Sequence, residues 1–194
     1  MNAPDSQLQD FIEVYTSIIP SNVCDVIVDS LEKNNKWIPH TWYNAETNIS
    51  YSRETKELEI QPSNPEQIEL LNPFIVNSLN NYHQKFHSKG KNIENFIQKF
   101  SNIRFNRYSP GQFMRQHHDH IQSLFDGREK GIPVLSIILN LNEDYDGAEL
   151  FFWDDHIVPL GKGDIVIFPS LFLFPHGVTE PTKGKRYSGV SWAW

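Results

Sequence analysis

Residues 141–170, LNEDYDGAELFFWDDHIVPLGKGDIVIFPS, consist of short apolar runs separated by turn-forming residues. The turns DYDG, DD and GKGD are rich in Asp and Gly, which favour tight reversals of the chain. The runs between them are too short for helices and contain many β-branched and aromatic residues. This stretch therefore predicts a succession of short strands.

The same pattern extends from about residue 100 to the end of the chain. Eight short strands with tight turns indicate a sandwich or an open barrel, with the helices of the first half packed outside it. We predict strands near 102–109, 112–118, 133–142, 148–153, 156–160, 164–168, 172–179 and 185–193.

The first half of the chain has a different pattern. A strand is predicted over 11–18, and Ser21 is predicted as the N-cap of a helix that ends near residue 34. A second helical region begins at Pro65, with a bend expected at Pro73. Residues 37–61 have no helical period and are interpreted as strand and exposed loop.

Composition limits the classes of function. The chain has 194 residues, 39% of them apolar, which suits one domain in which residues 10–99 support a β-rich core formed by 100–194. The net charge of −7 argues against nucleic-acid binding. The single cysteine, Cys24, excludes an internal disulfide and a Cys-based zinc site. No apolar segment reaches the roughly 18 residues that span a bilayer, and we expect a cytoplasmic protein.

A run of four metal-ligand residue types, HHDH, begins at His117. On a strand over 112–118, His117 and Asp119 point to one face and His118 points away. His120 lies past the end of that strand. A metal held by the first pair needs a third ligand from a distant strand, and the remaining histidines are His40, His83, His87, His156 and His176.

These remaining histidines differ in their surroundings. His176 lies in the apolar run LFLFPHGV, where a polar ring needs a partner. His83 and His87 are spaced i, i+4, as on a solvated helix face, and His156 lies in a predicted turn. Two histidines and one carboxylate are the ligands in the facial triad of non-haem Fe(II) oxygenases. The alternative interpretations of the HHDH run are a His-rich surface turn and an adventitious zinc or nickel site. Arg186, ten residues after His176, is expected on the next antiparallel strand, where its guanidinium suits a carboxylate.

Residues 100–194 resemble the 2-oxoglutarate and Fe(II)-dependent dioxygenases, most closely their prolyl 4-hydroxylase-like branch. The matching segments, in family order, are RYSPGQF before HHD, LNEDYDGAEL, VPLGKGDIVIFPS, PHGV and GKRYSGVSWAW. The resemblance implies a mostly β fold with flanking α-helices and a double-stranded β-helix core, also called a jelly-roll or cupin-like core. It makes residues 100–194 the catalytic core.

The resemblance also implies roles for single residues. His117, Asp119 and His176 would bind Fe(II) and form the catalytic centre, and Arg186 would pair with the distal carboxylate of 2-oxoglutarate. Tyr108 matches a tyrosine that lines the cosubstrate pocket in this branch, with packing inside the barrel as the alternative.

Two positions depart from the family pattern. Asn140 stands where many relatives carry a tyrosine, and we expect its amide to donate to the cosubstrate. The pair GA at 147–148 replaces GG, which is interpreted as a packing change.

Alternation along a strand adds candidates for substrate contact. If Tyr108 faces the site, then Arg104 and Asn106 on the same strand face it too, and we expect both to contact the substrate. The alternative is a solvent-facing arginine at the start of the strand. Trp192 is a further candidate substrate residue. Apolar walls of the site, or ordinary core packing, are expected for Phe105, Phe113, Phe151, Phe168, Phe174 and Trp192.

The segment 43–56 lies where relatives place a loop that covers the substrate. An exposed structural loop is the alternative. Side chains near it that could close over a ligand are those of Trp37, Trp42, Tyr43, Tyr51 and Arg53.

The implied reaction hydroxylates an unactivated C–H bond of a prolyl, peptidyl or amino-acid-like substrate, consumes dioxygen and 2-oxoglutarate, and releases succinate and CO2. Ascorbate is an expected reductant, and a monomer or homodimer is expected. The alternatives are a small-metabolite hydroxylase of the same superfamily and a non-catalytic cupin-like binding protein. A complete ligand set together with Arg186 argues against the non-catalytic alternative, and the acidic composition argues against a nucleic-acid demethylase.

Overall fold

The structure of the protein, a computed structural model, describes residues 7–44, 49–51, 57–87, 97–119 and 132–194. A 3-10 helix over Leu8–Phe11 comes first. In chain order the other elements are β1 (Glu13–Tyr15), α1 (Ser21–Asn34), β2 (Ile38–Pro39), β3 (Trp42–Asn44), β4 (Ile49–Tyr51), β5 (Glu59–Pro62), α2 (Pro65–His87), β6 (Arg104–Tyr108), β7 (Met114–His117), β8 (Leu135–Asn140), β9 (Asp146–Gly147), β10 (Leu150–Phe152), β11 (His156–Val158), β12 (Ile165–Pro169), β13 (His176–Val178), β14 (Pro181–Lys183) and β15 (Arg186–Ala193).

All eight strands predicted in the second half are present, each within or close to its predicted range. Both predicted helices are present as well. Helix α1 begins at Ser21 itself, so Ser21 is not the N-cap; Pro20 occupies that position and makes no side-chain capping bond. Helix α2 continues through Pro73. The predicted strand over 11–18 is shortened to β1 because a 3-10 turn occupies its first residue.

Two antiparallel sheets form the body of the protein. The larger has seven strands in the order β1-β12-β8-β15-β6-β5-β2, and the smaller has four in the order β11-β10-β13-β7. Two further two-stranded sheets pair β14 with β9 and β3 with β4. The expected fold class, mostly β with flanking helices and a double-stranded β-helix core, is confirmed.

The large sheet is buried on both faces, which explains the continuous apolar run of β8. Ile137 and Leu139 face the helices, whereas Ile138 between them faces the small sheet. We call the helix side the outer cluster, which includes Ile27, Leu31, Leu71, Ile75, Phe105 and Ile167. We call the side between the sheets the inner cluster, which includes Tyr108, Ile138, Leu150, Phe152, Phe168 and Val190. Alternation along each strand decides which cluster a side chain joins.

Strands from the two halves of the chain share the large sheet. From the first half, β1 pairs with β12 and β5 pairs with β6. This pairing supports the prediction that 10–99 and 100–194 form a single domain. Within the described ranges, neither helix has the length and apolar character needed to span a membrane.

Candidate metal centre

Pairing between β7 and β13 places two histidines side by side in the small sheet. His117 ends β7, His176 begins β13, and the two are direct partners in the pairing. Their ring centres are 4.4 Å apart. Asp119 follows His117 by two residues, and its carboxylate lies against both rings. The structure thus brings together residues that are nearly sixty positions apart in the sequence.

The ligand atoms of these three residues converge on one point. All of them lie within 4.8 Å of one another. Nε2 of His117 is 3.3 Å from Oδ1 of Asp119, and Nε2 of His176 is 3.7 Å from Oδ2. On the far side of each ring, Nδ1 lies 2.9 Å from the carbonyl oxygen of Arg115 and 3.1 Å from that of Phe174, respectively. Donation from Nδ1 leaves Nε2 unprotonated, as a metal ligand must be, so the set fits a divalent metal with open positions.

The carboxylate of Asp119 is held in its charged form. Oγ of Ser136 donates to Oδ2 at 2.6 Å, and Ser136 lies 2.8 Å from the hydroxyl of Ser170. Burial alone would raise the pKa of Asp119, but the two histidines and Ser136 hold it well below its usual range. Burial lowers the pKa of His176 to about 4, so its ring is neutral near pH 7.

Aromatic rings surround the two histidines. Ring centres of Phe152 and Phe168 lie 5.5 and 4.7 Å from that of His176, and Trp42 meets His117 edge-on at 5.7 Å. Of these two phenylalanines, Phe168 is one of the expected wall residues. Phe151 is also expected in the wall, but it lies on the other face of β10, and its neighbour Phe152 lies beside His176 instead. Phe105 packs in the outer cluster, so of the two expectations for this side chain the structure shows ordinary core packing.

The other histidines whose side chains the structure describes lie outside this group. His118 is exposed, as alternation predicts, and His120 lies outside the described residues. His156 begins β11 and does not lie in the predicted turn. His40 is buried with Nδ1 3.4 Å from the carboxylate of Glu57. Within the described ranges no other set of three His, Cys, Asp or Glu side chains converges in this way.

Arg186 begins β15 and is almost completely buried, at 1% exposed. Nε donates to Oδ1 of Asn140 at 3.0 Å and Nη1 to the carbonyl oxygen of Ala148 at 3.0 Å. Its guanidinium carbon lies 5.8 Å from the ring centre of Tyr108, its cross-strand partner. No carboxylate among the described residues forms an ion pair with it. A buried cation without an anion is unfavourable, so this arrangement favours an anionic ligand.

Asn140 bonds to the backbone and to Arg186. Its amide nitrogen donates to the carbonyl oxygen of Asn142 at 2.9 Å and, more weakly, to the carbonyls of residues 160 and 161. The expected donation from this amide to a cosubstrate stays a prediction. Its oxygen accepts from Arg186 and from the hydroxyl of Tyr145 at 3.2 Å. Asn140 therefore orients the arginine.

Tyr145 is a residue that sequence reasoning missed. It lines a cavity of about 210 Å³ that reaches Arg186. Its hydroxyl donates to Oδ1 of Asn140 at 3.2 Å. Tyr145 follows Asn140 by only five residues, but spacing along the chain does not show that its hydroxyl returns to Asn140 at the edge of this cavity.

The three candidate substrate residues lie together. Arg104 is partly buried, its guanidinium carbon is 5.1 Å from the ring centre of Trp192, and its Nε donates to Oδ1 of Asn106 at 3.2 Å. Tyr108 belongs to the inner cluster, and Trp192 packs against that cluster. Contact of these side chains with a substrate stays a prediction.

The predicted covering segment is described only in part. Residues 45–48 and 52–56, which include Arg53, lie outside the described residues, and so do the side chains of Tyr43 and Tyr51. At its start Trp42 lies beside His117, with Nε1 donating to both carboxylate oxygens of Glu57 at 2.8 and 2.9 Å. Trp37 is not at the site, because it packs on the outer cluster with Arg107 4.6 Å above its ring.

Comparison with known proteins finds similarity in the second half of the chain. Residues 103–194 match the family model of the 2OG-Fe(II) oxygenase superfamily. A PKHD-type hydroxylase of Caulobacter vibrioides is 36% identical over 94 residues, which cover 45% of this chain and 40% of that protein. Prolyl 4-hydroxylase 1 of Arabidopsis thaliana is 28% identical over 107 residues, which cover 44% and 38%. The matches thus span about two fifths of the length of these relatives.

Solved structures share the fold over most of the chain. A viral collagen prolyl hydroxylase from Paramecium Bursaria Chlorella virus-1 matches with a TM-score of 0.66 and 18% identity, over 94% of each chain. A prolyl hydroxylase from Trichoplax adhaerens, solved with a peptide fragment of the hypoxia inducible factor oxygen degradation domain, matches with a TM-score of 0.69 and 17% identity, over 95% of this chain and 83% of its own.

Proposed function

We propose that this protein is an Fe(II)- and 2-oxoglutarate-dependent dioxygenase of the prolyl 4-hydroxylase-like branch, because residues 103–194 match the family model of the 2OG-Fe(II) oxygenase superfamily and resemble a prolyl 4-hydroxylase. It hydroxylates an unactivated C–H bond of a prolyl, peptidyl or amino-acid-like substrate and releases succinate and CO2. The observation that carries the proposal is the convergence of the ligand atoms of His117, Asp119 and His176 within 4.8 Å.

These three residues would hold the iron through two Nε2 atoms and one carboxylate, and they leave its remaining positions open. Fe(II) and 2-oxoglutarate, when bound, supply the activation of dioxygen, one atom of which enters the C–H bond while the other enters succinate. Ser136 keeps the carboxylate in place, and the phenylalanines beside His176 exclude water.

Arg186 would pair with the distal carboxylate of 2-oxoglutarate. Its burial without a carboxylate partner among the described residues supports this role. Asn140 and Ala148 fix two guanidinium nitrogens, which aims the remaining N–H groups at the ligand. The ring of Tyr108 lies beside the guanidinium, and Tyr145 lines the cavity that reaches Arg186, so both would border the bound cosubstrate.

Several finer points belong to the same proposal. We propose ascorbate as the reductant, a cytoplasmic location and a monomeric or homodimeric state. A small-metabolite hydroxylase would share all of the residues above and differ only in the prime substrate. A non-catalytic binding protein would bind 2-oxoglutarate without consuming it.

Succinate formation tests the proposal directly. The protein with Fe(II), ascorbate and 2-oxoglutarate in air should release succinate slowly without a prime substrate and faster with the right one. Removal of iron by a chelator should stop the reaction, and added Fe(II) should restore it. A protein that binds 2-oxoglutarate and forms no succinate above the heat-denatured control would support the non-catalytic alternative.

The neighbouring histidines provide a matched pair of variants. His117→Ala should lose succinate formation, because it removes one of three converging ligand atoms. His118→Ala should retain it, because this exposed side chain lies on the other face of the strand end. The two variants change the same residue type at adjacent positions, so equal losses in both would contradict the assignment.

The hydroxyl of Tyr145 gives a smaller expected effect. Tyr145→Phe should raise the KM for 2-oxoglutarate about fivefold, which corresponds to one hydrogen bond of ~1 kcal/mol. The kcat at saturating 2-oxoglutarate should change little. Tyr82→Phe is the control, because it removes a hydroxyl bonded to the carbonyl of Phe11 in the outer cluster. An unchanged KM in Tyr145→Phe would exclude the tyrosine from the cosubstrate site.

A further inference from the structure

Arg104 is a second cation on the inner face of the large sheet. In the pairing of β6 with β15, Arg104 is opposite Val190 and Tyr108 is opposite Arg186. Residues 104, 106 and 108 share one face of the strand because they are two apart. Tyr108 and Val190 both belong to the inner cluster, so the side chain of Arg104 extends on the same side as the candidate metal centre.

The guanidinium of Arg104 is oriented but not neutralised. It lies 5.1 Å from the ring centre of Trp192, and its Nε donates to Asn106 at 3.2 Å. Among the described residues it forms no ion pair, and its two terminal nitrogens have no hydrogen-bond acceptor. Arg107 on the opposite face differs, since it bonds the carboxylates of both Glu59 and Glu32.

Arg104 is close to the candidate metal centre and separate from the cosubstrate arginine. Its guanidinium contacts Trp192, Trp192 is the cross-strand partner of Ser136, and the hydroxyl of Ser136 donates to Asp119. The Tyr108–Arg186 pair and the Arg104–Val190 pair are four residues apart along the strands, which is roughly 13 Å. The two arginines are therefore suited to two different anions.

The surroundings of Arg104 indicate what else the ligand contains. The indole of Trp192 provides one flat apolar surface beside the guanidinium. The indole of Trp42 provides another beside His117, held there by its bonds to Glu57. A ligand that contacts both indoles would meet aromatic surfaces, one cation and the metal ligands. This combination suits an apolar carbon skeleton with one anionic group.

We propose that Arg104 binds a free carboxylate of the prime substrate, so that the substrate is a free amino acid or the C-terminal residue of a peptide. A carboxylate matches the two unused terminal nitrogens of one guanidinium in charge and in planar geometry. The inference rests on the proposed function and names its substrate class.

The test compares acids with their amides. Succinate formation by the wild-type protein, loaded with Fe(II) and 2-oxoglutarate, is measured with each of the common L-amino acids, L-proline included, and with the corresponding carboxamides. Short prolyl peptides with free and amidated C-termini extend the series. We expect one or more acids to stimulate succinate formation and their carboxamides to stimulate it at least tenfold less.

Variants of Arg104 assign the effect to this residue. Arg104→Gln should raise the KM for the stimulating acid by about tenfold to hundredfold, as expected for hydrogen bonds to a charged group. The KM for the stimulating acid should rise more than the KM for 2-oxoglutarate, because Arg104 and Arg186 lie four residues apart along the paired strands. Arg104→Lys should recover part of the affinity, because it keeps the charge and loses the planar fork. Arg107→Gln removes the same charge from the opposite face of β6 and should leave the acid-to-amide ratio unchanged.

The outcomes separate this inference from the proposed function. Absence of the slow reaction in the wild-type protein would contradict the dioxygenase assignment itself. A slow reaction accompanied by equal stimulation from acids and carboxamides would overturn only the role of Arg104. The same conclusion would follow if no acid of the series increased succinate formation or raised the unfolding temperature of the anaerobic Fe(II) and 2-oxoglutarate complex.

Discussion

Asp119→Ala should reduce succinate formation to below about one hundredth of the wild-type rate, since even residues that only support a ligand contribute about tenfold to hundredfold. Asp119 is the one carboxylate between the two histidine Nε2 atoms, at 3.3 and 3.7 Å. Without it the remaining pair of neutral imidazoles binds a divalent metal far more weakly. Succinate measured over time with saturating Fe(II) and 2-oxoglutarate gives the rate.

Metal binding provides an independent measurement for this variant. Titration of the metal-free protein with Fe(II) under anaerobic conditions should show one site in the wild type and a much weaker one in Asp119→Ala. Asp155→Ala is the control, because this exposed carboxylate lies in the turn between β10 and β11. If Asp119→Ala formed succinate at the wild-type rate, the aspartate would not be a metal ligand. If Asp155→Ala lost activity as well, the loss in Asp119→Ala would not be specific to the metal centre.

Arg186→Met should weaken binding of 2-oxoglutarate by about 2–5 kcal/mol, or roughly 30-fold or more, as found when one member of a buried charge pair is truncated. The fold itself should survive. Two hydrogen bonds, to Asn140 and to Ala148, are lost, but a buried charge without a carboxylate partner among the described residues is removed with them. The side-chain volume is largely kept by methionine.

Thermal unfolding separates these two effects of Arg186→Met. A ligand that binds only the folded state raises the unfolding temperature with its concentration. The anaerobic Fe(II)-loaded wild type should therefore be stabilised by 2-oxoglutarate, and the variant should not, although both unfold at similar temperatures without it. Lys185→Met, which changes the exposed neighbour, should respond as the wild type does. A variant stabilised by 2-oxoglutarate to the wild-type extent would exclude Arg186 from the cosubstrate site.

The strands of the second half could be predicted because their signals are local. Alternation and turn residues depend on neighbours a few positions apart, and the eight predicted strands are all present. The same local rule placed His117 and Asp119 on one face and His118 on the other. For Phe105 and Phe151 the sequence left site wall and core packing open, because local patterns do not show which face of a strand meets the small sheet.

The third ligand shows where reasoning from residues stopped. Five histidines outside the HHDH run remained candidates by spacing alone, and the resemblance to a family singled out His176. In the structure, the pairing of β7 with β13 places His176 directly beside His117. No periodicity contains that information, since it depends on which strands become neighbours and in which register.

By itself, the sequence determined the strand pattern, the helices, the acidic balance and the side of the strand on which each candidate ligand lies. Only the tertiary structure decided that Asn140 orients Arg186, that Tyr145 returns to the same pocket, and that Arg104 has no ion-pair partner among the described residues. The physical reason is one of range. Local patterns follow from backbone geometry within a few residues, whereas hydrogen bonds and ion pairs across a sheet depend on packing among segments far apart in the chain.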